Sequence, residues 1–283
     1  MKPEPRFLLQ PKDFWANVRL ISAKCGYTVR NENRIKVPTL DEIAQTFTSL
    51  GMEHSHLVSR NGEPTHSGRL LLDYFDHRAS VLLTQVEPNL MDADTAREVF
   101  RSIKKRVRPK YPLPMNKQKG KKSAPAYLTG IINMLIEENC AGLSCDFDPR
   151  DLTTITRSDA PLRTLARRVD GCFPTAVNPV AIWEIKEYYY TTTFGSRIAD
   201  GIYETLLDGM ELEELRSSEN IDIKHYFFAD AYYTWWECGR SYLCRLVDML
   251  HMGYVDEVLF GREVVERLPA LVGEWVGLAR TSR

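Results

Sequence analysis

Val180-Ala-Ile-Trp-Glu-Ile-Lys-Glu-Tyr-Tyr-Tyr190 is the stretch on which the reading of this chain turns. Its density of aliphatic and aromatic residues predicts a β-strand. Residues two apart on a strand project from the same face, so Glu184 and Lys186 point together and Ile185 points the other way. Upstream, Asp170-Gly171 is a turn signal, and Pro174 and Pro179 punctuate the path from it into the strand. A hairpin there brings Asp170 beside Glu184. Further out, Pro125 opens a helix to about Asn139, and Leu152–Thr156 and Leu162–Val169 read as strands. Downstream, Ser196–Leu215 reads as a helix, Ile223–Tyr233 as a strand and Ser241–His251 as a helix. The order is α-β-β-β-α-β, an α/β (α+β) pattern.

Two carboxylates and a lysine at the end of paired strands suit phosphodiester hydrolysis. The acids can hold Mg²⁺, which polarises the phosphate and acidifies a bound water. The lysine can orient or help deprotonate that water and stabilise developing charge. Asp170, Glu184 and Lys186 are the candidate catalytic residues. An acid-x-lysine triplet alone says little, because this composition yields about two by chance. The chain has two, Glu184-Ile-Lys186 and Asp222-Ile-Lys224. The first lies inside an apolar strand. The second follows the polar run Arg216–Asn220 and reads as an exposed strand edge.

Arg168-Val-Asp170-Gly171 followed by Trp183-Glu184-Ile185-Lys186, with thirteen residues between Asp170 and Glu184, resembles the PD-(D/E)xK nuclease superfamily, which includes many type II restriction endonucleases. The resemblance spans about residues 124–235. It departs from the pattern at Val169, where a proline often stands. It implies a restriction-endonuclease-like α-β-β-β-α-β core around a central mixed sheet. It also implies Mg²⁺, with Mn²⁺ as a substitute, at Asp170, Glu184 and Ile185. In this superfamily the helix before the first strand often supplies another acid. Glu137 and Glu138 are the candidates, and Glu138 continues the apolar face of Leu128, Ile131, Ile132 and Leu135.

The first hundred residues read as helices, over Lys12–Lys24, after the capping box Thr39–Glu42, over Gly68–Gln85 and over Asp94–Val107. The polar stretch Glu53–His66 could be the turn of a helix-turn-helix or an ordinary connection. Arg101–Lys122 holds ten basic residues and no acid, with three prolines. It is either a solvated linker or a strap over phosphates, each cation replacing a condensed counterion. The division expected is a helical domain at 1–108 for DNA recognition or dimerisation, a basic linker at 109–123 and a nuclease domain at 124–283. Lys117, Lys119, Lys121, Lys122 and Arg197 are the candidate DNA contacts. Tyr188–Tyr190 and the aromatic run Tyr232–Trp236 could stack on bases or pack internally.

Lys and Arg number 37 against 38 for Asp and Glu, so no global basic excess marks a nucleic-acid binder. The six cysteines lack zinc spacing and read as reduced thiols. No apolar run has the length of a membrane span, and the expectation is a soluble cytoplasmic protein. DNA is the expected partner. One site per chain and two strands to cut suggest a homodimer. No Walker loop occurs, so within an ATP-driven defence complex another subunit would supply the motor. The competing reading is a catalytically silent nucleic-acid-binding or structural subunit with the same fold.

Overall fold

The computed structural model describes residues 1–29, 32, 34–116, 124–190 and 196–281, without the side chains of residues 196 and 197. A four-stranded mixed sheet runs in the order β3 (Gly171–Phe173), β4 (Ala181–Glu187), β5 (Lys224–Asp230), β6 (Glu257–Phe260). The first pair is antiparallel and the next two are parallel. Parallel neighbours need crossovers. These are helix α7 (Ser196–Glu219) between β4 and β5 and helix α8 (Arg240–His251) between β5 and β6.

The pleat of β4 sorts its side chains between two layers. Ala181 and Trp183, with Tyr226, Phe228 and Leu259, face helices α6 (Tyr127–Asn139) and α9 (Glu263–Thr281). There the Trp183 and Trp275 rings stack at 5.3 Å. Ile182 faces the other way, against Leu212 and Leu215 of α7. Beside it, Phe227, Ala229, Val258 and Phe260 pack on α8 and on Ile198 and Ile202 of α7. Helix α5 (Ala93–Val107) lies behind α6, and Gly130 makes room for it. A Cβ on that glycine would sit 2.5 Å from the Phe100 ring.

Helices α1 (Pro5–Leu8), α2 (Lys12–Cys25), α3 (Leu40–Ser49) and α4 (His66–Val81) share a second core around Phe7, Phe14, Trp15, Tyr74 and Phe75. The capping box at α3 forms in both directions, Glu42 N–H to Thr39 Oγ1 and Thr39 N–H to a Glu42 carboxylate oxygen. This bundle meets the sheet domain through a buried polar contact. Arg78 is fully buried and reaches both oxygens of Asp248 on α8, at 3.0 and 3.1 Å. Tyr74 donates its hydroxyl to the same carboxylate at 2.6 Å.

Several expectations are corrected here. The strand expected at Leu162–Val169 is β2 (Ala160–Thr164), and it pairs only with β1 (Thr154–Arg157), apart from the main sheet. Ser158 and Asp159 take left-handed backbone (φ 49° and 63°), which folds the two strands into a tight hairpin of their own. The place beside β3 goes instead to Asp146, which exchanges both main-chain hydrogen bonds with Cys172. Gly171 is not a turn residue. It lies in β3 over the Trp183 indole, where a Cβ would come within 2.3 Å of the ring. The helix expected to reach Gln85 stays α-helical to Val81 and then widens into a π-turn over Leu82–Val86. Residues 50–65 separate α3 from α4, far more than the three- or four-residue turn of a helix-turn-helix. Strand β6 and helix α9, not foreseen at all, complete the sheet and cover it.

The sheet's edges are occupied. At β6, Val258 exchanges main-chain hydrogen bonds with Met1, and the Phe260 N–H donates to Glu263. At β3, the outward-facing Cys172 is taken by Asp146. No helix among the described residues is long and apolar enough to cross a membrane.

Candidate active site

Helix α7 runs antiparallel to β4 and crosses the face that carries Ile182, Glu184 and Lys186. Four helical residues advance about 6 Å and two strand residues about 6.6 Å, so the two elements stay in step. Leu212 and Leu215 meet Ile182, Asp208 lies near Glu184, and Glu204 and Gly201 lie over Lys186. The apolar end of this seam holds α7 down. The polar end is the site.

Asp170 enters from the loop before β3. Its N–H donates to the Trp183 carbonyl at 3.1 Å, which continues the β3–β4 pairing by one residue. Its carboxylate folds over β4 and accepts the Ile185 N–H at 2.9 Å. Glu184 is fully buried. Lys186 Nζ lies 2.9 Å from Glu184 Oε2, 3.8 Å from Asp170 Oδ2 and 3.4 Å from Glu204 Oε2. The structure thus brings Asp170, Glu184 and Lys186 together.

Arg167, which the sequence reading passed over, closes the far side. Its Nη1 lies 2.7 Å from Glu184 Oε1 and 2.6 Å from Asp208 Oδ2, and its Nη2 lies 3.4 Å from Glu204. Four carboxylates therefore surround two cations. Burial would raise the pKa of Glu184, but Lys186 and Arg167 outweigh it and hold that carboxyl below its usual range. Burial would lower the pKa of Lys186, yet Glu184 and Asp170 push it up, so it stays an ammonium at neutral pH. Asp170 is lifted to about 6, first by the protein packed around it and then by Glu184. Its side chain still keeps 42% of its exposure, which leaves one edge open to solvent. Burial raises Asp208 to about 7, partly offset by Arg167.

Would a divalent cation fit? Asp170, Glu184 and the main-chain carbonyl of Ile185 are hard oxygen donors. Mg²⁺ sites commonly use one or two carboxylates and complete themselves with water and phosphate. Among the described residues, no group of three or more His, Cys, Asp or Glu side chains is arranged to hold a metal ion. The donor set fits Mg²⁺ on those terms, with Asp170 as the accessible carboxylate. Both Glu184 oxygens are engaged by protein cations, so an ion at Glu184 competes with them.

The remaining expected residues lie elsewhere. Glu138 is not at the site. It sits in the last turn of α6 and pairs with Arg106 of α5 at 2.7 Å. The opposite end of that helix is the one near the site, since the Leu128 N–H donates to Glu187 at the end of β4. Ten residues of helix, about 15 Å, separate the two ends. Glu187 caps α6 by accepting the Leu128 and Thr129 N–H groups, a structural role. Lys117, Lys119, Lys121 and Lys122 lie outside the described residues, as does the side chain of Arg197. Asp222 and Lys224 pair with each other at 2.6 Å on the surface, as expected of a strand edge. Tyr189 donates to Asp230 at 2.6 Å, and Trp235 and Trp236 are buried, so these three pack internally, while Tyr233 is exposed.

Residues 91–275 match a family described as a domain of unknown function, DUF7687. The chain belongs to this family. A second family with the same description, DUF7690, matches residues 1–85. No curated protein and no solved structure matches the chain. The whole constellation, from Arg167 to Asp208, lies inside the DUF7687 match, and the α1–α4 bundle lies inside the other.

Gly201 supplies a prediction. Alanine in place of a mid-helix glycine ordinarily stabilises by about 0.5–1 kcal/mol. Here the added Cβ would come within 2.8 Å of Lys186 Cε, so the lysine must move. Gly201→Ala is expected to keep or raise the melting temperature while lowering any activity that depends on Lys186. Unchanged activity in this variant would show that the placement of Lys186 is not critical.

Proposed function

We propose that this protein is a Mg²⁺-dependent endonuclease that hydrolyses DNA phosphodiester bonds. The observation that carries the reading is the convergence of Asp170, Glu184 and Lys186 at the carboxyl end of β4, where α/β sheets commonly bind ligands. Asp170, Glu184 and the Ile185 carbonyl would hold the ion. When bound, it would polarise the phosphate and acidify a water. Lys186, fixed as an ammonium, is suited to donate hydrogen bonds to the charge that develops on phosphate. Its ion pairs argue for that role over one as a general base.

A restriction-endonuclease-like core is part of this proposal. Its support is the run β3, β4, α7, β5, which matches the β-β-α-β part of the implied order, while β1 and β2 pair apart from the sheet. DNA as substrate draws further support from α5, where Arg101, Lys104, Lys105 and Arg106 are exposed and Arg108 and Lys110 follow. Restriction or phage defence, a homodimer and a separate motor subunit are proposals that rest on the resemblance. A silent nucleic-acid-binding subunit is the second reading, favoured by the protein cations on both oxygens of Glu184. Incubating the protein with plasmid and with phage DNA, in Mg²⁺ and in EDTA, separates the two. Cleavage in Mg²⁺ alone supports the nuclease. Binding without cutting supports the silent subunit, and cutting that survives EDTA rejects the metal-dependent mechanism.

A further inference from the structure

Glu184 has two sides. Oε2 faces Lys186 and, beyond it, Asp170. Oε1 faces Arg167 and, beyond it, Asp208. In two-ion phosphodiester sites the ions sit about 3.5–4 Å apart. A carboxylate with its oxygens turned to opposite sides is suited to sit between two such ions. Here the second side is already filled. The Arg167 guanidinium is within hydrogen-bond distance of Glu184 and Asp208, and its other nitrogen approaches Glu204. Nη1 thus lies between two carboxylates, Glu184 and Asp208, and one or two carboxylates completed by water are what a Mg²⁺ site commonly uses. The chain has placed a permanent organic cation there.

The burial of these groups makes the arrangement more than a surface ion pair. The side chains of Glu184 and Asp208 are both fully buried. Two buried carboxylates this close are relieved either by a proton on one of them or by a cation between them, and here Arg167 is the cation. Arg167 cannot be neutralised at any ordinary pH, so it serves whether or not metal is present. Asp208 Oδ1 is buried and has no hydrogen-bond partner, so the acceptor capacity on this side exceeds what the guanidinium uses.

We infer that Arg167 stands in for a second metal ion, so that the site takes one divalent cation on the Asp170 side instead of two. The inference rests on the nuclease reading. Arg167 is on these terms a positioning residue. It holds Glu184 through Oε1 and ties β4 to α7 through Asp208.

The test counts bound Mn²⁺ on the full chain without DNA, by the loss of the free-ion electron paramagnetic resonance signal up to millimolar metal. Wild type is expected to bind one ion per chain. Arg167→Met removes the charge and keeps most of the bulk, and it is expected to bind two. Adding Asp208→Asn to that variant is expected to return the count to one, and Arg167→Lys to leave it at one. Far-UV circular dichroism checks that each variant is folded. Two ions on wild type would overturn this inference and leave the nuclease reading standing. No ion on wild type would overturn both. A folded Arg167→Met that still binds one ion would overturn this inference alone. The wild-type count needs no variant, so it decides between one ion and two even where Arg167→Met fails to fold.

Discussion

Lys186→Ala is expected to lower Mg²⁺-dependent cleavage by about 10²–10⁴-fold, the range over which a positioned proton-transfer or charge-stabilising group acts. Metal affinity should move the other way. The ammonium now lies 2.9 Å from Glu184 and 3.8 Å from Asp170. Removing it frees Glu184 Oε2 and leaves two carboxylates facing each other with less positive charge between them. An ion entering that gap meets less competition, so Mn²⁺ should bind more tightly while the reaction fails. A lysine that merely propped up the fold would weaken both. The comparison needs a cleavage assay and a metal titration on the same folded sample. Wild-type cleavage by Lys186→Ala would remove Lys186 from the mechanism.

The largest loss of stability is expected from Arg78→Ala. Arg78 Nη1 reaches both oxygens of Asp248 and also Ser22 Oγ at 3.1 Å, and its guanidinium lies over the rings of Phe75 and Tyr27 at 5.0 and 5.2 Å. Breaking a buried pair from one side strands the other charge, at a cost of about 3–5 kcal/mol. Tyr74 would still donate to Asp248 but carries no positive charge. The melting temperature should fall by on the order of 10 °C. The double variant Arg78→Met with Asp248→Asn, which removes both charges, should recover part of the loss. A drop of about 1 kcal/mol or less in chemical denaturation would place the pair with exposed ones and contradict its role at the interface.

Some of the site was legible because its signal is local. An apolar strand with a polar pair two residues apart announces a face, and Glu184 and Lys186 share it. Asp170 followed from the hairpin, although the reason given for Gly171 was wrong. That glycine serves the Trp183 ring, a contact no local pattern reveals. Arg167 and Asp208 were missed because they meet across 41 residues of sequence. A trace of them existed. Asp200, Gly201 and Glu204 recur at helical spacing in the sequence, and the next turn of that face adds Asp208, a further acid over the strand. Glu138 failed for a related reason. The buried run of α6 ends at Ile136, short of Glu138, and Arg106 of α5 satisfies that glutamate, a pairing between helices that no local pattern reveals. Strand β6 is only four residues long, short enough to be taken for part of a loop.

The occupied margins of the sheet limit how anything else can join it. Partners that add a strand to an existing sheet need a row of unpaired main-chain groups. At β6 those donors are spent on Met1 and Glu263, and at β3 on Asp146. The same closure works against self-association into fibrils, the usual hazard of a strand left bare. A partner would therefore have to meet this sheet through the helices and loops around it, and main-chain pairing is left to the separate β1–β2 hairpin.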